Sequence, residues 1–388
     1  MYEFNLGRGW VYPPPFLIYK QMYRFYPALT PVFYIPGMIY QCGVYLRNRA
    51  FDAGFLSIRS LTRPVMSVGN LTLGGTGKTP FVIHMAGLLK EMGCETAILT
   101  RGYGRIEPGK TIIIPPENKT DSSASRIGDE PALMSRRLPE AWLGVSSDRF
   151  RAANAICRHE DHSDKIVFIL DDGFQRRDIR RDLDIVMVDP AQPPDSERIF
   201  PVGALREPPT ELRRAHVIVI NGTESSDTWE TRSEHFEAIV KNLRKYAPKA
   251  DCFHCVQRIK AITPFSDWLN IKTTQNLHER PDAAFLAAAI GNPDRFKRDV
   301  LNLGIEMRGC AFFSDHAVIS EKDWHKCVNA ARKAKADAII ITEKDAIKIV
   351  KPPDFPLMVA VQSTDLTEAA RFREILQTTC ERGRPVGV

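Results

Sequence analysis

Past Pro64 the chain alternates short apolar runs with longer stretches of helical period, the pattern of a parallel sheet joined by crossover helices. The run Pro-Val-Met-Ser-Val-Gly over 64–69 predicts a buried strand that feeds a glycine-rich turn. Behind the turn, Val82, Met85, Leu88 and Leu89 recur at helical spacing. Pro80 falls in the first turn of that helix, where its missing N–H does no harm, and Gly93 suits its C-terminal end. Further strands are predicted at 96–100, 141–145, 165–170, 184–188 and 216–220. The polar stretch 221–234 reads as a boundary. A connector strand around 252–262 and a second α/β set, with strands near 284–291, 307–313, 337–345 and 357–362, come after it. Two α/β domains result, 51–222 and 223–388, behind an N-terminal segment 1–50 of different character.

Composition and charge change the picture mainly in that leading segment. The 388 residues are 44% apolar and 26% charged, as in a folded globular protein. Of the net charge of +6, five units sit before Pro64, where seven Lys and Arg face only Glu3 and Asp52. Between Arg24 and Arg47 lies a run of 22 uncharged, aromatic-rich residues, long enough to span a bilayer. Pro27, Pro31 and Pro36 are expected to break a lipid-exposed helix early. Aromatics flanked by Arg and Lys fit a segment, 16–46, lying in the headgroup region of an anionic membrane surface; a helical arm packed on the protein's own body is the alternative. No secretory signal pattern is present, and the basic excess accompanies an apolar segment rather than a groove-sized patch, which argues against nucleic acid. The eight cysteines lack a disulfide framework, and Cys252 and Cys255, without a second pair, read as buried strand residues rather than zinc ligands.

The candidate chemistry begins at Thr72-Leu73-Gly74-Gly75-Thr76-Gly77-Lys78-Thr79, which ends as a phosphate-binding loop ends but has Thr72 where the first glycine of G-x-x-x-x-G-K-[ST] is expected. Backbone N–H groups around Gly74, Gly75 and Gly77 can cradle phosphate oxygens, helped by the dipole of the following helix. Lys78 brings a charge to the β- and γ-phosphates of ATP, and the Thr79 hydroxyl can ligate Mg²⁺. Downstream, the apolar run 166–170 ends in Asp171 and Asp172, either of which could hold Mg²⁺ beside the loop. The fold class expected is therefore a P-loop NTPase-like parallel-sheet domain plus a second, smaller α/β domain, with an N-terminal membrane-associated helical segment. Nucleotide hydrolysis and phosphoryl transfer both remain open on these motifs alone.

The stretches SVGNLTLGGTGKTP, TRGYGR, GDEPALM, DDGFQRRDIRRDLDIVMVD, FPVGALREP, AAIGNPDRF, FSDHAVIS and TEKDAIK occur in this order, and together they resemble the tetraacyldisaccharide 4'-kinase (lipid A 4'-kinase) family over about 16–350. The resemblance implies a membrane-associated enzyme at the cytoplasmic face of a bacterial inner membrane. It would transfer the γ-phosphate of ATP to the 4'-hydroxyl of a tetraacyldisaccharide 1-phosphate, with no obligate protein partner. Its substituted first glycine is usual for that family. On the sequence alone Asp129 reads as a helix N-cap with Glu130 in the first turn, whereas the resemblance makes Asp129 the catalytic acid. It likewise makes His316, after Asp315, the partner of that acid. Arg149, Arg206, Glu207 and Glu130 become phosphate- or substrate-binding candidates, and Arg101 and Tyr103 weaker ones. One position departs from the pattern: Arg176 stands where the family carries His, and it is expected to lower the pKa of Asp172 by charge attraction.

Two readings of other classes compete. A dimeric ATPase switch would carry a lysine just before the paired glycines, where this chain has Leu73. A membrane-bound nucleotide-sensing scaffold would need the loop but neither Asp129 nor His316.

Overall fold

The computed structural model describes residues 10–11, 30–116, 122–159, 165–222, 229–270 and 280–382. The chain divides into two compact units. The larger comprises Met22–Gln257 and Thr364–Val388, the smaller Met1–Gln21 and Arg258–Ser363. This division differs from a single boundary after 222, because the chain leaves the larger unit only after Gln257 and returns to it at Thr364. The C-terminal helix Ala369–Arg382 explains the return. Its Phe372 and Leu376 are fully buried, and the Phe372 ring meets Phe81 and Phe253 edge-on at 5.8 and 5.4 Å.

Strands are numbered in chain order, and β1 (Trp10–Val11) pairs in the smaller unit. The larger unit contains β2 (Val65–Gly69), β3 (Glu95–Thr100), β4 (Ile112–Ile114), β5 (Trp142–Val145), β6 (Ile166–Asp171), β7 (Leu183–Val188) and β8 (Val217–Gly222). Their spatial order is β8-β7-β2-β6-β3-β5-β4, and every pair is parallel except β4 with β5. Parallel strands covered on both faces need unbroken apolar runs, and β2, β5, β6, β7 and β8 are buried at every position. One core packs Ala152, Ala153 and Ile156 of the helix Arg149–Cys157 on Leu99, Phe168 and Leu170. A second gathers Leu71, Phe174, Val186, Ile218, Ile220 and Leu243.

The strand order fixes where a ligand would sit. The chain goes from β2 out to β3 and β5, then comes back to insert β6 between β2 and β3. Connections leaving β2 and β6 therefore diverge, opening a crevice at the carboxyl ends of these two strands. Val68 is level with Asp171, so the turn after β2 and the residues after β6 leave the sheet at the same height.

Thr30–Asp52 forms one helix of 23 residues that runs through Pro36, contrary to the expected early break. Pro31 stands in the first turn, where no N–H is required, and Pro36 removes a single backbone bond near the start. The helix lies in the larger unit; of the segment 16–46, residues 16–29 fall outside the described residues. Among the described residues no helix is long and apolar enough to cross a membrane.

The smaller unit carries β10 (Ala283–Ala288), β11 (Glu306–Phe312), β12 (Ala338–Thr342) and the first part of β13 (Leu357–Leu366), after β9 (Asp251–Pro264), which leads into it. Its strands pair in parallel as β1-β11-β10-β12-β13. Leu286, Phe296, Val300, Ile340 and Ala360 form its core.

Candidate functional site

The turn after β2 shows why Thr72 can replace a glycine. Thr72 makes an antiparallel bridge with Leu205, and the Leu73 N–H donates to the Ala204 carbonyl at 2.6 Å, so the entry to the turn is extended and needs no special backbone. The left-handed positions come later, at Gly74 (φ 113°) and Gly77 (φ 80°). The Gly77 site is also closed sterically, since a Cβ there would overlap the side-chain amides of Asn221 and Gln257. Those amides donate to the Thr76 carbonyl at 2.9 Å and the Gly77 carbonyl at 2.7 Å, leaving the N–H groups of the turn to face the other way. Gly77→Ala is therefore expected to cost more than about 2 kcal/mol through strain and overlap, read as a fall in Tm together with loss of ATP binding.

Lys78 opens the helix Lys78–Glu91, and Gly77 as N-cap brings no side chain over the helix start. The Lys78 ammonium donates to Asn70 Oδ1 at 3.0 Å and lies 3.5 Å from Asp172 Oδ1. Asn70 is held in turn, its Nδ2 donating to the Thr72 carbonyl at 2.7 Å and its own carbonyl accepting from Gln175 Nε2 at 3.0 Å.

Asp171 and Asp172 sit side by side in opposite electrostatic surroundings. Asp171 ends β6 fully inside; burial, with Glu130 and Asp172 adding like charge, pushes its carboxyl well above the usual carboxylate range, although Thr100 Oγ1 donates to it at 2.8 Å. Burial would raise Asp172 as well, but Lys78 and Arg206 outweigh it and bring the carboxyl down to about 2. The Arg206 Nη1 contacts both Asp172 oxygens at 2.9 and 2.8 Å. Asp172 also takes a left-handed backbone (φ 51°), as does His316 (φ 63°), an uncommon geometry for non-glycine residues that Asp and His adopt more readily than most.

Arg176 is not among the main influences on Asp172. Lys78 and Arg206 keep that carboxylate ionised, while Arg176 donates to the Ser147 carbonyl at 2.9 Å and pairs with Asp178 at 3.4 Å. Its neighbour in charge is Arg149. Burial and then the Arg176 charge lower the Arg149 guanidinium to about 10, with Asp171 and Asp172 opposing. The buried Arg149 Nε and Thr76 Oγ1 have no hydrogen-bond partner among the described residues. Two adjoining guanidiniums with an orphaned donor are a fitting environment for a phosphate.

Asp129 is the first helical residue of Asp129–Arg137, not its N-cap; that place belongs to Gly128 (φ 98°). Asp129 is 8% exposed, and its carboxylate accepts from the Glu130 N–H at 3.0 Å. Its placement depends on two glycines, because a Cβ on Gly102 would strike the Ile127 carbonyl and one on Gly128 would strike the Tyr103 carbonyl. Arg101 and Tyr103 flank Gly102 with exposed side chains. Glu207 is buried, pairing with Arg214 and accepting from Asn48 Nδ2 at 3.4 Å. These contacts make it an anchor for the Arg206 segment.

His316 lies in the smaller unit. Its Nε2 is 3.3 Å from Lys344 Nζ, which is also 3.2 Å from Asp315 Oδ1, and Gly291 lies alongside because a Cβ there would come within 3.2 Å of Asp315 Oδ2. Three of the quoted stretches thus meet in one cluster. The sequence reading missed Lys344, and it missed Asn70, Thr100, Asn221, Gln257 and Tyr40 in the larger unit. Of these, Asn70, Thr100 and Lys344 lie inside quoted stretches, the sole signal that could have drawn attention to them.

For Mg²⁺, the donor set on hand is two adjacent carboxylates and the Thr79 hydroxyl. Among the described residues there is no cluster of three His, Cys, Asp or Glu that would hold a metal without help. That set fits Mg²⁺, which is commonly held by one or two carboxylates together with substrate phosphates.

A profile of the tetraacyldisaccharide-1-P 4'-kinase family matches residues 29–381. Among curated proteins, the tetraacyldisaccharide 4'-kinase of Geobacter metallireducens is 35% identical over 327 residues, covering 83% of this chain and 88% of its own length. That of Syntrophus aciditrophicus is 35% identical over 320 residues, covering 81% and 82%. Among solved structures, LpxK from Aquifex aeolicus in complex with ATP superposes with a TM-score of 0.67 at 28% identity, over 92% of this chain and 99% of that one.

Proposed function

The chain belongs to the tetraacyldisaccharide-1-P 4'-kinase family, and from that premise we propose how its residues move the γ-phosphoryl group of ATP to the 4'-hydroxyl of a tetraacyldisaccharide 1-phosphate. The observation that carries the assignment of the site is the meeting of Lys78, Asn70 and Asp172 at the carboxyl ends of β2 and β6. Amides from Gly74 to Thr79 surround the β- and γ-phosphates, and Lys78 supplies their counter-charge. Asp171, Asp172 and Thr79 would hold Mg²⁺, which when bound supplies charge neutralisation to the leaving diphosphate. Arg149 and Arg176 take a phosphate oxygen pair, of the nucleotide or of the lipid.

Asp129 accepts the proton of the 4'-hydroxyl as its oxygen bonds to the γ-phosphorus. The bond from that phosphorus to the β,γ-bridging oxygen breaks, and ADP departs with the electron pair. The part given to His316 rests on likeness to the family. Phosphoryl transfer from labelled ATP to the disaccharide 1-phosphate tests the scheme. A labelled lipid that disappears on adding EDTA is the expected product. Label confined to inorganic phosphate would favour an ATPase switch, and ATP binding without turnover a scaffold.

The acceptor's acyl chains stay in a bilayer, so the enzyme must work at its surface, here taken as the cytoplasmic face of the inner membrane where ATP is present. Tyr34, Ile35, Met38, Ile39 and Leu46 of the helix Thr30–Asp52 are all more than half exposed, which supports contact with lipid over packing on the protein's own body. Ile35→Asp with Ile39→Asp is expected to weaken sedimentation with anionic vesicles roughly tenfold or more, leaving Tm unchanged.

A further inference from the structure

The helix Thr30–Asp52 has a second face, and it grips the loops that carry the site. Tyr40 donates its hydroxyl proton to the backbone carbonyl of Arg206 at 3.0 Å, and its ring meets Phe200 edge-on at 5.7 Å. Burial, reinforced by Glu207, raises the Tyr40 phenol, so it stays protonated and donates at neutral pH. At Gly37 the helix and the Arg206 segment pack so closely that a Cβ would come within 3.1 Å of Val202 Cγ2. Farther along, Asn48 Nδ2 donates to Glu207 and Arg47 donates to the Gln175 carbonyl. Arg177 closes the same face by donating to the Asn48 carbonyl at 2.9 Å and to Asp52 at 2.6 Å.

We propose that Tyr40 is a positioning residue for phosphoryl transfer, holding the Arg206 backbone so that its guanidinium orients Asp172. The inference rests on the kinase reading of the site. Its physical content is short range: Tyr40 holds the carbonyl of the residue whose side chain clamps both Asp172 oxygens. The same helix turns its apolar side outward, so seating that helix on lipid and orienting Asp172 become one mechanical event. A lipid kinase built this way turns over fastest when its helix is held at the surface where its acceptor resides.

The test compares wild type, Tyr40→Phe, Arg206→Lys and the double variant, all as full chains, with acceptor dispersed in phosphatidylglycerol–phosphatidylethanolamine vesicles. Tyr40→Phe keeps the ring contact and loses only the hydroxyl. The expected result is kcat lowered roughly tenfold, as for one well-placed hydrogen bond, with KM for the lipid and vesicle partition unchanged. Half-saturation by Mg²⁺ should rise severalfold. In the Arg206→Lys background the loss should vanish, because both changes act through one path. Wild-type kcat and Mg²⁺ dependence in Tyr40→Phe would overturn the proposal. So would a change confined to lipid KM or partition, losses that add independently in the double variant, or a kcat loss that follows a fall in Tm with no shift in Mg²⁺ dependence. Absence of lipid phosphorylation by the wild-type protein would instead sink the kinase reading itself.

Discussion

Asp129→Asn is expected to lower kcat by about 10²–10⁴ with ATP affinity almost unchanged, the range for losing a general base. The substitution is nearly isosteric, and the Asn carbonyl oxygen can still accept from the Glu130 N–H, so the start of the helix Asp129–Arg137 is preserved. What disappears is the ability to take a proton. Gly102 and Gly128 set the carboxylate's place by allowing two backbone segments to touch, and neither contact is altered by the change. Single-turnover transfer to the lipid, together with an ATP titration by calorimetry, separates the two effects. A normal single-turnover rate would move the role to another acid, and Glu130 is the adjacent one to examine.

The second large effect is Lys78→Met, for which kcat/KM for ATP should fall about 10²–10³, the scale of losing one preorganised charge at the reacting phosphate. Methionine keeps the length and apolar stem of the side chain and removes the ammonium. Asp172 then loses one of the two cations that hold it down, and its carboxyl rises. Arg206 still contacts both oxygens, so one cation continues to face the carboxylate. Steady-state kinetics with varied ATP measures the loss. An unchanged kcat/KM would mean that the ammonium serves only its bonds to Asn70 and Asp172.

Much of the larger unit was legible because buried parallel strands are unbroken apolar runs, and β2, β6, β7 and β8 stand where such runs predicted them. The turn was legible for a related reason, since only glycine fits where Gly77 must pass Asn221 and Gln257. What escaped were contacts between residues far apart in the chain. Nothing local marks Tyr40 as the partner of the Arg206 carbonyl, or Gln257 as the donor to Gly77. Asp129 was read as a cap because an acid before an apolar helix is ordinarily one; here Gly128, with its left-handed φ, takes that place. Arg176 was judged by its nearness to Asp172 in sequence, yet its side chain points to Ser147 and Asp178. The C-terminal helix was not read from the sequence at all, and Phe372 docks it against Phe81 of the larger unit. The helix through Pro36 was missed because a proline near a helix start costs one bond rather than the helix.

The most direct test of the central claim is a crystal structure with a non-hydrolysable ATP analogue. The account predicts that γ-phosphate oxygens lie about 3 Å from Lys78 Nζ and from amides of the turn, near the Asp129 carboxylate. A triphosphate bound elsewhere, with Lys78 still on Asn70 and Asp172, would contradict it.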